Sequence, residues 1–206
     1  EGKSVSGNLS LSSPSEKPFS AGRDMGITLN LSYKLPQADE NAWIFFLGFS
    51  NNRGFLNYVP LPGVAYFYRA SSQLRMVLGL PFAMLFWLPG ENWTVSAYYF
   101  PIRSAELRVA YGKPRGVQPF ALVAYRTRNY RLSDRSSENE RLFFDEGFSQ
   151  AGVNFPVYRG VLLELSGGLS FDRRYYLAEK STSRSKAPGL KADNAFFGSA
   201  RLQTFF

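Results

Sequence analysis

The side chains that could do chemistry in this chain are carboxylates and guanidiniums, because the two most versatile catalytic residue types are missing. The sequence contains no His and no Cys. That removes Ser-His-Asp triads, His general bases, His-ligated metals, thiolate metal sites, disulfides and Cys nucleophiles. What remains for catalysis is a carboxylate pair, which can divide acid and base work between two groups. Asp145 with Glu146, and Glu164 with Asp172, are the candidates. Guanidiniums surround them at spacings that suit ion pairing: Arg108, Arg126 and Arg128 for Glu106, and Arg174 for Asp172. Ion pairing is the preferred reading, so no catalytic residue, metal or cofactor is assigned.

These charges fall on one side of a period-two pattern. In "VLLELSGGLSFDRRYYL", Val161, Leu163, Leu165, Leu169 and Phe171 oppose Leu162, Glu164, Ser166, Ser170, Asp172 and Arg174. The contrast recurs in "MGITLNLSYK", "SAELRVAY", "FALVAYRTR" and "FFGSARLQTFF". Alternation of this kind reads as a half-buried strand, not a helix. The polar face collects Lys34, Arg75, Arg108, Arg126, Arg128, Arg174 and Arg201 with Glu106, Glu164 and Asp172, and Glu146 beside them. If that face lines a lumen, its surplus of cations favours anions. Phe46, Phe67, Phe100, Phe120 and Phe197 share the face and would plug it, a serious competitor in a small barrel.

The elements that must position these groups are strands of a barrel. The chain has 206 residues, a net charge of +8 and 17% aromatics, which suits one domain spanning 1–206. No apolar run reaches the roughly 20 residues of a spanning helix. Residues 117–132, 141–157 and 161–178 read as strands well beyond the usual 5 or 6 residues. Aromatics gather at strand ends as an interfacial girdle would: Trp43, Tyr68, Trp87, Trp93, Tyr111 and Tyr158. Turns are short on one side ("YRASSQL", "WLPGENW", "YGKPRGV", "VYRGV", and the longer "YKLPQADENAW"). They are long and polar on the other, at 13–22, 51–62, 133–140 and 180–192. The expectation is an all-β, transmembrane, antiparallel up-and-down β-barrel of about 12 strands, near 3–12, 23–35, 42–50, 63–69, 73–80, 82–88, 92–100, 104–112, 117–132, 141–157, 160–178 and 193–206. The alternative has 10, fusing 73–88 and 92–112. Fusion would point Arg103 at lipid in mid-depth, at a cost of about 2–4 kcal/mol. Twelve strands leave a low wall along 63–112, suited to lateral opening or to a protein partner.

The run "ARLQTFF", with Ala200, Leu202, Thr204 and Phe206 in one phase, resembles the C-terminal assembly signal of Gram-negative outer-membrane barrels. "LPGVAYFYRASSQLRMVLGLPF" and "LSGGLSFDRRYY" are similar to a family of uncharacterised bacterial outer-membrane proteins, over about residues 58–178. The resemblance implies the fold, the bacterial outer membrane as location, insertion by the barrel-assembly machinery, and contact with outer-membrane lipid and lipopolysaccharide. It implies no activity. Glu1 starts no signal peptide, which is expected of a mature, processed form. The expected function is a narrow passive channel for small solutes with weak anion preference. A closed structural barrel, serving as subunit or docking partner in a larger assembly, is the alternative. Nucleic-acid binding is not expected, because the cations sit on strands and not on one helix or patch.

Overall fold

The computed structural model describes residues 2–19, 22–101, 104–113 and 116–204, with Arg23 by its backbone alone. The alternating segments become strands β1 (Ser4–Ser12), β2 (Gly26–Pro36), β3 (Ala42–Ser50), β4 (Leu61–Arg69), β5 (Leu74–Leu80), β6 (Ala83–Gly90), β7 (Trp93–Phe100), β8 (Ser104–Tyr111), β9 (Gln118–Tyr130), β10 (Arg141–Tyr158), β11 (Val161–Ala178), β12 (Gly189–Ala192) and β13 (Ala195–Thr204). Each pairs antiparallel with its chain neighbour, up and down, except that β12 and β13 both pair with β11. Among the described residues β1 and β13 do not pair, so the sheet is not closed. Among the described residues no helix is long and apolar enough to cross a membrane.

Among the described residues the count is thirteen strands, not twelve: β13 falls in the expected strand 193–206, and the added β12 forms within the expected loop 180–192, beside a bulge in β11. Gly147 faces Phe171 while Asp145 faces Arg174, so β11 carries one extra residue there. Asp172 sits in that bulge at φ 47°. The partner ladder breaks at the same level: β13 pairs with Val161–Ser170 and β12 with Arg173–Tyr176. The ten-strand alternative fails because Leu78 pairs with Ala83 and Phe100 with Ser104, making separate hairpins of β5–β6 and β7–β8.

One end of the sheet carries only short connections, and Gly112 and Gly160, at φ 123° and 74°, supply the backbone freedom two of them need. The wall is uneven. Strands β4 to β8 have 9, 7, 8, 8 and 8 residues, and β9 to β11 have 13, 18 and 18. At about 3.3 Å per residue, β5 rises about 23 Å and β10 about 60 Å. The sheet curls, since Arg108 on β8 reaches Glu164 on β11 at 3.1 Å across two intervening strands. Their face is therefore the concave one.

The tall extensions of β9–β11 are clasped to the loop ends of β1–β3. Arg131 N donates to Pro14 O at 2.8 Å, and its guanidinium to Asn51 O at 2.7 Å and Met25 O at 3.3 Å. Asn52 Oδ1 accepts from both Asn129 Nδ2 (3.2 Å) and Arg141 Nε (3.1 Å). Arg135 pairs with the buried Asp24 at 2.9 Å. Ser133 donates twice to Glu16, and these bonds hold the Glu16 carboxyl below its ordinary value. Arg141 is 1% exposed. Burial, then the neighbouring Arg131, lowers its guanidinium to about 10, so it stays charged at neutral pH. Beside it Phe143 and Tyr176 stack at 5.2 Å, at 0% and 2% exposure, under Gly54 and Ser181. Phe143→Ala removes the centre of this clasp and is expected to cost about 3–5 kcal/mol. Urea unfolding of the refolded protein measures that loss.

Candidate functional site

Strand register decides which side chains reach the concave face. Arg108 faces Leu122, Leu122 faces Gln150, Gln150 faces Gly168 and Gly168 faces Phe197, so these five share one side. On it two similar units stand side by side. In the first, Arg108 lies over the Phe120 ring at 3.6 Å and pairs with Glu164. The Asn154 amide, in the orientation that satisfies both groups, donates to Glu164 at 3.1 Å and accepts from Arg108 at 3.2 Å. In the second, Arg126 lies over Phe148 at 4.3 Å and grips Glu146 at 2.6 and 2.7 Å. Ser170 Oγ donates to the other Glu146 oxygen at 2.9 Å, and Arg128 stands 3.9 Å away. Glu146 and Glu164 are 6% and 4% exposed. Carboxylates that deep need paired cations, and the aromatic floors add cation–π attraction. Phe197 meets Phe148 edge-on at 6.2 Å and extends the floor onto β13.

The expected groups divide as follows. Arg108, Arg126, Glu146 and Glu164 are brought together as ion pairs, but Arg108 pairs with Glu164, not Glu106. Lys34 is 6.0 Å from the Phe67 ring. Arg75 and Glu106 line one cavity. Arg201 faces Glu164 in register and is exposed. Asp172 and Arg174 depart from expectation. The bulge shifts the alternation of β11 by one, so Arg174 shares a face with Asp145 and Tyr176 and not with Glu164. Asp172 is bound by Arg184 at 3.2 Å, and Arg174 donates to Ala187 O at 3.3 Å. Neither catalytic carboxylate pair converges. Asp145 points to the opposite face from Glu146, taking Thr127 at 2.7 Å and Arg184 at 3.0 Å. Glu164 and Asp172 lie eight residues apart along one strand, about 26 Å.

The outer face carries Trp43, Tyr68, Trp87, Trp93, Tyr111 and Tyr158, 41–76% exposed and all at the short-turn end. Trp93 and Tyr111 touch at 5.0 Å, and Tyr66 bridges Trp43 (4.9 Å) and Tyr68 (6.5 Å). Ala200, Leu202 and Thr204 face Leu165, Leu163 and Val161 on the same outer side. Phe206 lies outside the described residues.

Three cavities adjoin along the concave side. One of about 510 Å³ lies over β4–β8, against Phe67, Arg75, Phe86, Tyr98 and Glu106. A second of about 360 Å³ touches Tyr98, Phe100, Ser104, Arg126 and Thr127. The third, about 800 Å³, shares Phe100 and Thr127 and lies beneath residues 51–62, with Arg53 and Arg128 in its wall. Of the plugging phenylalanines, Phe120 and Phe197 pack in the ion-pair floor, Phe67 and Phe100 line cavities, and Phe46 also lines one, 5.3 Å from Phe82.

Sequence reasoning missed Phe148, although it shares the phase of Glu146 and was findable from alternation. Asn52, Arg131 and Arg141 act through contacts between distant loops, for which no local signal exists, and Arg53 is held locally by the carbonyls of Gly48 and Val59. No family, curated protein or solved structure matches the chain.

Glu164→Ala leaves Arg108 facing a void and is expected to destabilise the fold by about 3 kcal/mol. The double variant Arg108→Met/Glu164→Leu should recover most of that loss. A double-mutant cycle in urea measures the coupling, and additive losses would mean that the pair contributes nothing.

Proposed function

We propose that the chain is a single-domain outer-membrane β-barrel, sealed by a β1–β13 seam, that forms a narrow passive passage for small anionic solutes. The observation that carries the reading is the line of three adjoining cavities along the concave face. Arg75, Arg128 and Arg53 line it with Arg126, whose charge Glu146 already meets, and among the described lining residues Glu106 is the one carboxylate. Such a lining favours anions over cations.

The outer face supports a membrane setting. Leu29, Leu31, Phe45 and Leu47 on the adjacent β2 and β3, Val64 and Leu78 on β4 and β5, and Leu107, Val123 and Leu165 on β8, β9 and β11 are 37–51% exposed on the outward phase of the sheet. Soluble monomers rarely expose contiguous apolar surface of that extent. The aromatic belt at the short-turn end fits an interface with lipid headgroups. The tips of β9–β11, clasped by charged loops, would stand beyond the apolar layer. There the loop bearing Lys180, Arg184, Lys186 and Lys191 would meet lipopolysaccharide phosphates. Ala200, Leu202 and Thr204 are in the phase that the assembly machinery would read.

The two ion-pair units and the clasped loop end favour a second reading, a closed barrel that serves as subunit or docking partner through its low wall, residues 63–112. Planar-bilayer conductance separates the two. The passage predicts steady, anion-biased steps whose selectivity reverses in Arg126→Glu/Arg128→Glu. A silent bilayer, with folding verified by heat-modifiable gel mobility, would favour the closed barrel. Because the chain has no Cys, the seam can be tested directly. Ser6→Cys combined in turn with Ser199→Cys, Arg201→Cys or Gln203→Cys should crosslink in at least one register. Failure in all three would remove seam closure.

A further inference from the structure

We infer that the cavity beneath residues 51–62 binds an anionic amphiphile, a long-chain monocarboxylate whose apolar body lies on Phe46, Phe55 and Leu61 while its head meets Arg53 and Arg128. The inference rests on the passage reading, because it names the solute class of the same cavity. At about 800 Å³ the space falls within the roughly 300–1,000 Å³ of small-molecule sites. Its wall contains two arginines and, among the described residues, no carboxylate. Arg53 donates to the carbonyls of Gly48 (3.0 Å) and Val59 (3.3 Å), which carry no compensating charge. Arg128 has only a distant share, at 3.9 Å, in a Glu146 already held by Arg126 and Ser170. Both guanidiniums therefore offer charge to a ligand anion. The apolar part has a way in. Leu80 lines the cavity and is also 76% exposed at the loop end of β5, where the wall is shortest. A hydrocarbon chain reaches the cavity sideways over β4–β5.

The test uses the full chain refolded into lipid nanodiscs, with empty nanodiscs as the partition control. A fluorescent fatty acid is titrated and then displaced by laurate or by neutral dodecanol. Saturable binding is expected, with laurate displacing better than dodecanol. Arg53→Gln/Arg128→Gln should weaken laurate about tenfold, as loss of a charge-assisted bond does, and leave dodecanol within about twofold of wild type. Arg53→Lys/Arg128→Lys should retain laurate. Leu61→Trp fills the cavity and should weaken both ligands, and Leu56→Trp replaces it if that variant does not fold. Binding no greater than that of empty nanodiscs, or laurate affinity unchanged in the Gln variant, would overturn the inference. Saturable binding in a protein that is silent in bilayers would keep the site and discard the passage. Conductance without saturable binding would do the reverse.

Discussion

Two carboxylates stand buried on the concave face, and each must be neutralised where it lies. Most of the interior follows from that requirement. Glu146 and Glu164 sit on adjacent long strands, β10 and β11. Arg126 reaches Glu146 from the adjacent β9, but Arg108 reaches Glu164 from β8, so the sheet has to curl until non-adjacent strands share a space. The guanidiniums lie over the Phe120 and Phe148 rings at 3.6 and 4.3 Å, which ties the aromatic floor to the ion pairs. A buried pair of this kind stabilises less than its Coulomb attraction suggests, because both ions lose water.

The same arrangement leaves the other half of the concave face with cations to spare. Among the described residues Arg75, Arg128 and Arg53 have no equally close carboxylate, and it is there that the cavities lie. Crosslinked floor and open, positively lined space thus divide the interior between the tall strands and the short ones. The proposed passage and the proposed amphiphile site both occupy the second region.

Much of this was legible in the sequence, because a period of two leaves little freedom. Alternation assigns Lys34, Arg75, Arg108, Arg126, Glu164 and Arg201 to one face, and the register agrees. It fails at Asp172, where one extra residue exchanges the faces, so that Arg174 leaves the set and a short added strand, β12, pairs with β11 above the bulge. Nothing in "SFDRRYY" marks that bulge, since Asp at positive φ depends on what surrounds it. The clasp was illegible for a different reason. Its bonds join positions about eighty to a hundred and twenty residues apart, several of them through backbone carbonyls that every residue type possesses.

The bulge at Asp172 works like a shift of reading frame. Below it, even-numbered side chains of β11 face the concave interior; above it they pack with Phe143 and the clasp. One strand therefore serves two environments that share no common alternation. Removing a single residue there would not merely shorten β11. It would exchange the surroundings of every side chain from Arg173 to Ala178, sending Tyr176 out of its stack while leaving the composition of the strand almost untouched. Length is thus under tighter constraint than identity along this stretch: a conservative substitution keeps the frame, and the smallest deletion loses it.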